Sequence, residues 1–266
     1  MKPLSISLAS EVIAHIGPVD IRNTMFMAWL VVLVLCAVAG FLTWNGFKQI
    51  PGRVQAATEL VVMGLYDLFA SILHDERLAR KFFPMISTMM IFIVLGNWMG
   101  ILPGIGSVTV KVMHEGAPET VPLLRSMNAD VNMTLAIALA AMFMIQLYGM
   151  LELGIGKYAS KFFVPPWKNP IGTFVGFLEI ISELSRVISF TFRLFGNIFA
   201  GEVLLIVISY LVPYIAPVPF LGMELFVGLI QGIVFALLTT VFLKIAVSHH
   251  DDHHEEPPAA PAPALA

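Results

Sequence analysis

Five long apolar stretches separated by polar segments organise the chain. Positions 26–44 carry no charged residue and end on Trp44, a side chain suited to the membrane–water boundary. Positions 82–102 and 131–151 read the same way, the first of them closed by Pro103-Gly104. The charge-free gaps run from Arg22 to Lys48, Lys81 to Lys111, Asp130 to Glu152, Glu202 to Glu224 and Glu224 to Lys244. Each holds about the 20 residues that an α-helix needs to cross a bilayer. Between 52 and 74 the pattern changes. There Val54, Leu60, Val61, Leu65, Leu68 and Leu73 alternate with Glu59 and Asp67, which predicts an amphipathic helix lying at the membrane surface. Positions 105–129 read as a polar loop, in which SVTVKV predicts a short strand, and a hydrophilic loop with Lys157, Lys161, Pro165-Pro166 and Lys168 follows the third span.

The last third is unusual in length. No proline interrupts the chain between Pro170 and Pro213, which allows about 60 Å of helix, roughly twice the hydrocarbon thickness. Such a helix must tilt steeply, break, or lie partly in the membrane plane. A last helix over 220–247 returns after the turn between Pro213 and Pro219. The predicted fold class is an all-α integral membrane protein. It has about five membrane-embedded helices, an interfacial amphipathic helix, and a long, steeply tilted helical hairpin at the C-terminal end. Residues 1–25 form an N-terminal segment and 26–247 a single membrane domain. The tail 248–266 is charged, then Pro/Ala-rich, and is expected to be disordered.

Composition agrees: 58% of residues are hydrophobic and 12% charged, a surplus that one soluble core cannot hide. The single cysteine, Cys36, lies within the first apolar run and excludes an internal disulfide or a cysteine metal cluster. The N-terminus resembles neither a secretory signal nor an Arg-rich transit peptide. Basic residues set the orientation. Lys48, Arg53, Arg77, Arg80, Lys81, Lys157, Lys161, Lys168 and Lys244 fall on one side, and Lys2, Arg22, Lys111 and Arg125 on the other. That excess predicts a periplasmic N-terminus and a cytoplasmic C-terminus.

Soluble-enzyme signatures are weak or absent. There is no P-loop and no zinc-type spacing, and Gly154, Gly156 and Ala159 match a dinucleotide fingerprint only in the wrong context. His249, His250, His253 and His254 read as part of a solvated tail rather than a metal site. The long helix carries the candidate chemistry. Glu179, Ser182, Arg186, Ser189, Arg193 and Asn197 recur at steps of three and four and so share one face. An ionisable group in hydrocarbon costs at least a few kcal/mol and needs a partner or a water-filled cavity. Glu179, Glu183 and Arg186 have the alternative of sitting at the interface and pairing with one another. Arg193 has no carboxylate three or four residues away. Because arginine stays protonated, it can repel cations and attract a carboxylate but cannot relay a proton.

Glu202 lies about half a turn round the helix from Arg193 and about 13 Å along it. On the last helix, Glu224 and Gln231 are seven apart and share a face. In an antiparallel hairpin, residues at equal depth have a constant number sum. Arg193 with Gln231 gives 424 and Glu202 with Glu224 gives 426, so these pairs should lie at matching depths, to within a helical turn of the 432 that the centre of the turn predicts. Two carboxyls at one depth suit a proton way-station, or alternatively structural glue sharing a proton. Gly228 and Gly232 flank Gln231 and would admit a close neighbour.

The segment Arg193-Leu194-Phe195-Gly196-Asn197, running on to Ala200-Gly201-Glu202, resembles the signature of subunit a of the F-type ATP synthase membrane sector. Ala129-Asp130-Val131-Asn132-Met133-Thr134-Leu135 resembles the start of that family's third spanning helix. Glu179 and Ser189 stand at the family's spacing before the arginine, and Gln231 at its spacing on the last helix. The resemblance runs from the first span to Val247. It implies a non-catalytic, proton-translocating stator subunit in a bacterial inner membrane. Its implied partners are a rotating ring of subunit c, the subunit b peripheral stalk and the lipid bilayer, with no nucleic acid and no cofactor. It also implies that Arg193 separates two aqueous half-channels and meets the ring carboxylate. Glu202, Glu224, Asn197 and Gln231 would line or support the outer path, with Asp130 and Asn132 near its mouth. Glu179 would belong to the cytoplasmic path, with Ser189 assisting. Where certain bacterial relatives carry a histidine facing the equivalent of Glu202, this chain has Glu224, so the pH range of transport is expected to differ, and sodium remains the alternative ion.

Two rival readings make different predictions. A self-contained secondary transporter predicts internal repeats with matched broken helices, and no repeat is found. A non-transporting assembly subunit accounts for the hydrophobicity but not for the matched depths of Glu202 and Glu224.

Overall fold

The first apolar run forms a helix, α1 (Asn23–Trp44), that starts slightly earlier than its pattern predicts. The reason lies upstream, where β1 (Val12–Ile16) and β2 (Val19–Arg22) pair antiparallel and the Asn23 N–H donates to the Glu11 carbonyl. This hairpin within the N-terminal segment has no counterpart in the periodicity of the sequence. The structure is a computed structural model describing residues 10–16, 19–44, 46, 48, 50–102, 104, 108–114, 117–162, 170–213 and 215–247. The histidine-containing tail, Lys2, Pro165-Pro166 and Lys168 lie outside the described residues.

The amphipathic segment forms α2 (Arg53–Leu73), stopped by His74 in the left-handed conformation at φ 56°. Asp75 then caps α3 (Glu76–Ile101), its side chain accepting from the Arg77 and Leu78 N–H groups. Further along, α4 (Val131–Leu153), α6 (Pro170–Leu211) and α7 (Pro217–Val247) follow the remaining apolar runs. Among the described residues six helices, α2 included, are long and apolar enough to cross a membrane. The packing argues that α2 lies flat. The start of α1 meets the short turn Met127–Ala129 and Asp130, and the end of α3 meets the same turn, where Gly96 packs on Met127 and Gly100 on Ser126. So α1 runs away from this turn while α3 runs towards it, and α2 joins the two far ends. Only Phe69 and Leu73 of α2 are buried, so it meets the bundle near its end and projects outwards. Helix α2 thus begins and ends at one end of the bundle, in agreement with the surface helix that the pattern predicts.

The loops carry more structure than their polarity suggests. The expected strand pairs with a partner: β3 (Thr109–His114) and β4 (Ala117–Pro122) form an antiparallel hairpin. The loop after the third span contains α5 (Ile155–Phe162), because Tyr158 and Phe162 lie one turn apart and turn inwards together. Gly149 makes room for it, since a Cβ there would meet the Tyr158 ring and the Ala246 carbonyl.

Arg77, Lys81, Lys161 and Lys244 collect at one end. Arg77 and Lys81 of α3 pair with Glu152 of α4, Lys161 of α5 with Glu179 of α6, and Lys244 of α7 donates to the Ile72 carbonyl. At the opposite end, Asp130 caps α4 through the Asn132 N–H at 2.9 Å and also accepts from Thr24 Oγ1 at 3.0 Å and from Ser10. Burial pushes its carboxyl up, but the donors Ser10, Asn132 and Thr24, with the Arg22 charge, outweigh this and leave it below the usual carboxylate range. A depressed folded value adds stability that is present above the unfolded value and lost as pH falls through the folded one. Asp130→Asn should therefore destabilise the detergent-solubilised protein by about 1–2 kcal/mol at neutral pH, with the difference shrinking below about pH 4. Thermal unfolding of both forms across pH checks this.

Candidate functional site: two cavities along the C-terminal hairpin

At 42 residues, α6 is about 63 Å long, longer than any upright span. It packs antiparallel on α7, and the contacts fix the register. Asn197 Nδ2 donates to Gln231 Oε1 at 2.7 Å, and Gly201 lies against the Glu224 carboxylate, giving number sums of 428 and 425. Glu202 and Glu224 thus share a depth, as their spacing predicts. Gln231 meets Asn197, one turn beyond Arg193. Phe190 packs on Phe235 with ring centroids 4.7 Å apart. The register falls short of the predicted 432 because α7 begins at Pro217. Both Pro217 and Pro219 fit its first turn, where a missing N–H has no helical partner to lose.

Two cavities lie along this hairpin. One, of about 290 Å³, is lined by Glu202, Glu224, Ile198 and Leu205 of the hairpin, Gly100 and Ile101 of α3, and Pro122, Leu124, Arg125 and Ser126 of the loop before α4. Glu224 is buried here, whereas Glu202 is half-buried and paired with Arg125 at 2.9 Å. The second, of about 370 Å³, is lined by Ser182, Ser185, Arg186, Ser189 and Arg193 of α6 and Leu238 and Phe242 of α7. Between them stand the buried Leu194 and the Asn197–Gln231 hydrogen bond. The Gln231 amide nitrogen is buried and has no hydrogen-bond partner among the described residues.

Arg193 is half-exposed at the edge of the second cavity, with Ser189 Oγ 3.4 Å from its Nη2. Among the described residues it makes no ion pair. Arg186 differs, reaching Glu183 at 2.6 Å and Glu179 at 3.9 Å and stacking on Phe242 at 4.6 Å. Glu179, Glu183 and Arg186 do pair with one another, joined by Lys161, 2.8 Å from Glu179. Beside them Tyr158 donates to Gln146; burial first, then the charges of Glu183 and Glu179, pushes its hydroxyl up to about 12, so it acts as a donor and not an acid.

Of the candidate residues, Glu202 and Glu224 line the first cavity and Ser189 and Arg193 the second, with Asn197 and Gln231 between. Glu179, Asp130 and Asn132 line neither. Glu179 belongs to the ion-pair cluster, Asp130 is the cap described above, and Asn132 is exposed on the first turn of α4. The close neighbour admitted by Gly228 and Gly232 is α3, through Asn97 and Val94. Asn97 donates to the Gly228 carbonyl at 3.0 Å and accepts from Asn128 at 2.6 Å. Sequence reasoning missed Arg125 as a partner of Glu202. The available signal was that a carboxylate within a span demands a cation, and the loop on its side of the membrane holds just Lys111 and Arg125.

This arrangement defines a multi-pass membrane protein with ionisable groups lining two cavities, each roomy enough for several water molecules, along a long helical hairpin. The family model described as ATP synthase A chain matches residues 25–244, and the chain belongs to that family. It is similar to ATP synthase subunit a 1 of Hahella chejuensis, 33% identical over 236 residues, 89% of this chain and 88% of the relative. ATP synthase subunit a of Desulfotalea psychrophila is 35% identical over 226 residues, 85% and 84% of the two chains. That of Gloeobacter violaceus is 32% identical over 251 residues, 93% of each.

Proposed function

We propose that the chain is the proton-conducting stator of a rotary F-type ATP synthase in a bacterial inner membrane, working beside a ring of subunit c and anchored by the subunit b peripheral stalk. The observation that carries this reading is the pair of cavities on either side of the Asn197–Gln231 level. The first, with Glu202 and Glu224, serves as the outer half-channel, its supporting wall set by the Asp130 cap and the first turn of α4 at Asn132. The second, with Ser189 and fed from the Glu179 cluster, serves as the cytoplasmic half-channel. A proton entering the first passes to a carboxylate on the ring and leaves through the second after rotation. Arg193, on the second cavity's wall one turn from the Asn197–Gln231 level, is a permanent positive charge that blocks a direct leak. The exposed apolar side chains Ile188 and Phe192 beside it suit a lipid-facing ring helix. A proton descending about 100 mV releases about 2.3 kcal/mol, and an open connection between the cavities would dissipate it. The chain performs no ATP chemistry itself.

Thiol accessibility tests the two cavities directly. In a Cys36→Ser background, Ser189→Cys and Leu205→Cys are treated with a membrane-impermeant thiol reagent, which needs water to reach a thiolate. Ser189→Cys is expected to react from the side bearing Lys81 and Lys161, and Leu205→Cys from the opposite side. Modification of both from one side would contradict separate half-channels.

A further inference from the structure

The two carboxyls of the outer cavity are not equivalent. Arg125 grips Glu202 with Nε 2.9 Å from Oε1 and 3.3 Å from Oε2, and with Nη2 3.3 Å from Oε2. The pair is well shielded, with the Arg125 side chain 10% exposed and that of Glu202 27%. A charge-assisted fork of this kind is strong and directional. Glu224, 3% exposed in the same cavity, has no ion-pair partner among the described residues. The charged groups lining the cavity are Arg125, Glu202 and Glu224, while α3 contributes the uncharged Gly100 and Ile101 and the loop adds Ser126. The guanidinium comes from the connection after the β3–β4 hairpin, outside the membrane helices, and reaches in over the cavity.

We propose that Arg125 is a positioning residue of the outer pathway: it holds Glu202 as a fixed anion, so that the two carboxyls do different work and Glu224 is the one that exchanges the transported proton. This rests on the proton-pathway reading of the cavity. The fork engages both oxygens of Glu202, which leaves the Glu224 carboxyl as the one in the cavity without an ion-pair partner among the described residues. Losing the cation leaves two carboxyls competing for the same proton.

The test is ATP synthesis by the reconstituted complex, with the entry-side pH varied at constant total driving force. Removing an opposite charge at ion-pair distance should move the half-maximal pH upwards by about 1 unit or more in Arg125→Gln, while Arg125→Lys, which keeps the charge, stays near wild type. An unmoved profile in an assembled Arg125→Gln complex would overturn the proposal. If that variant does not assemble, Glu202→Gln and the double variant Arg125→Gln/Glu202→Gln carry the test. Equal pH profiles support action through Glu202, and a further shift in the double variant refutes it. The underlying reading fails separately: Glu202→Gln would then leave both rate and pH profile unchanged.

Discussion

Gly201→Ala is expected to cut ATP-driven proton pumping about tenfold or more while the complex stays assembled. Glu224 owes its seat to the missing side chain at Gly201, where a Cβ would collide with its carboxylate. The colliding atoms are the far end of a flexible side chain, so the helices need not part and the added methyl displaces the carboxyl instead. A shift of about 1 Å at a reacting group costs on the order of 100-fold in enzymes, and a proton relay depends on distance in the same way. Gly222→Ala is the matched control on the same hairpin, since nothing lies within 4 Å of a Cβ there. Dye quenching in inverted vesicles reads both. Equal pumping by the two variants would show that the Glu224 carboxyl need not occupy this seat.

Much of this architecture is legible before any coordinates. Charge-free gaps locate α1, α3, α4 and α7 because a bilayer penalises charge by depth, whereas the gap from Glu202 to Glu224 straddles the α6–α7 turn and α6 itself carries five charged residues. The amphipathic pattern over 52–74 separates a surface helix from the spans, although α2 is long and apolar enough to cross. The matched depths of Glu202 and Glu224 give the hairpin register better than the turn does, because two carboxyls in hydrocarbon must share a polar setting while a proline-rich turn does not show which proline begins the helix. The rest depends on contacts between distant segments. Nothing periodic marks the β1–β2 hairpin, or the Ser10, Thr24 and Arg22 groups gathered on Asp130. In α5, the interleaved Lys157 and Lys161 hide the inward pair Tyr158 and Phe162. The Arg125–Glu202 pair joins residues 77 apart and follows from how the loop folds back.

Arg193 is where the largest effect is expected. Its guanidinium stays charged at any working pH and sits in a helix facing lipid-like apolar side chains. A charge at this depth costs at least a few kcal/mol unless something compensates it. Arg186, a few residues away, has Glu179 and Glu183 for that purpose, whereas Arg193 has only a long contact to Ser189 among the described residues. Its partner is therefore expected to come from outside the chain, as the carboxylate of a ring subunit passing α6. On the proposed reading, replacing it by alanine removes both the charge that blocks a leak between the two cavities and the attraction that discharges the ring carboxylate, so hydrolysis and transport should come apart. Glutamine would keep hydrogen-bonding capacity without charge and should fail in the same way.

The most direct measurement is ATP-driven proton pumping in inverted vesicles that contain the assembled complex, comparing wild type with Arg193→Ala. Acidification by the wild type, and none by a variant complex of the same subunit content, is the predicted result. Normal coupled pumping by Arg193→Ala would contradict the account, leaving Arg193 a structural residue and the two cavities without a separator.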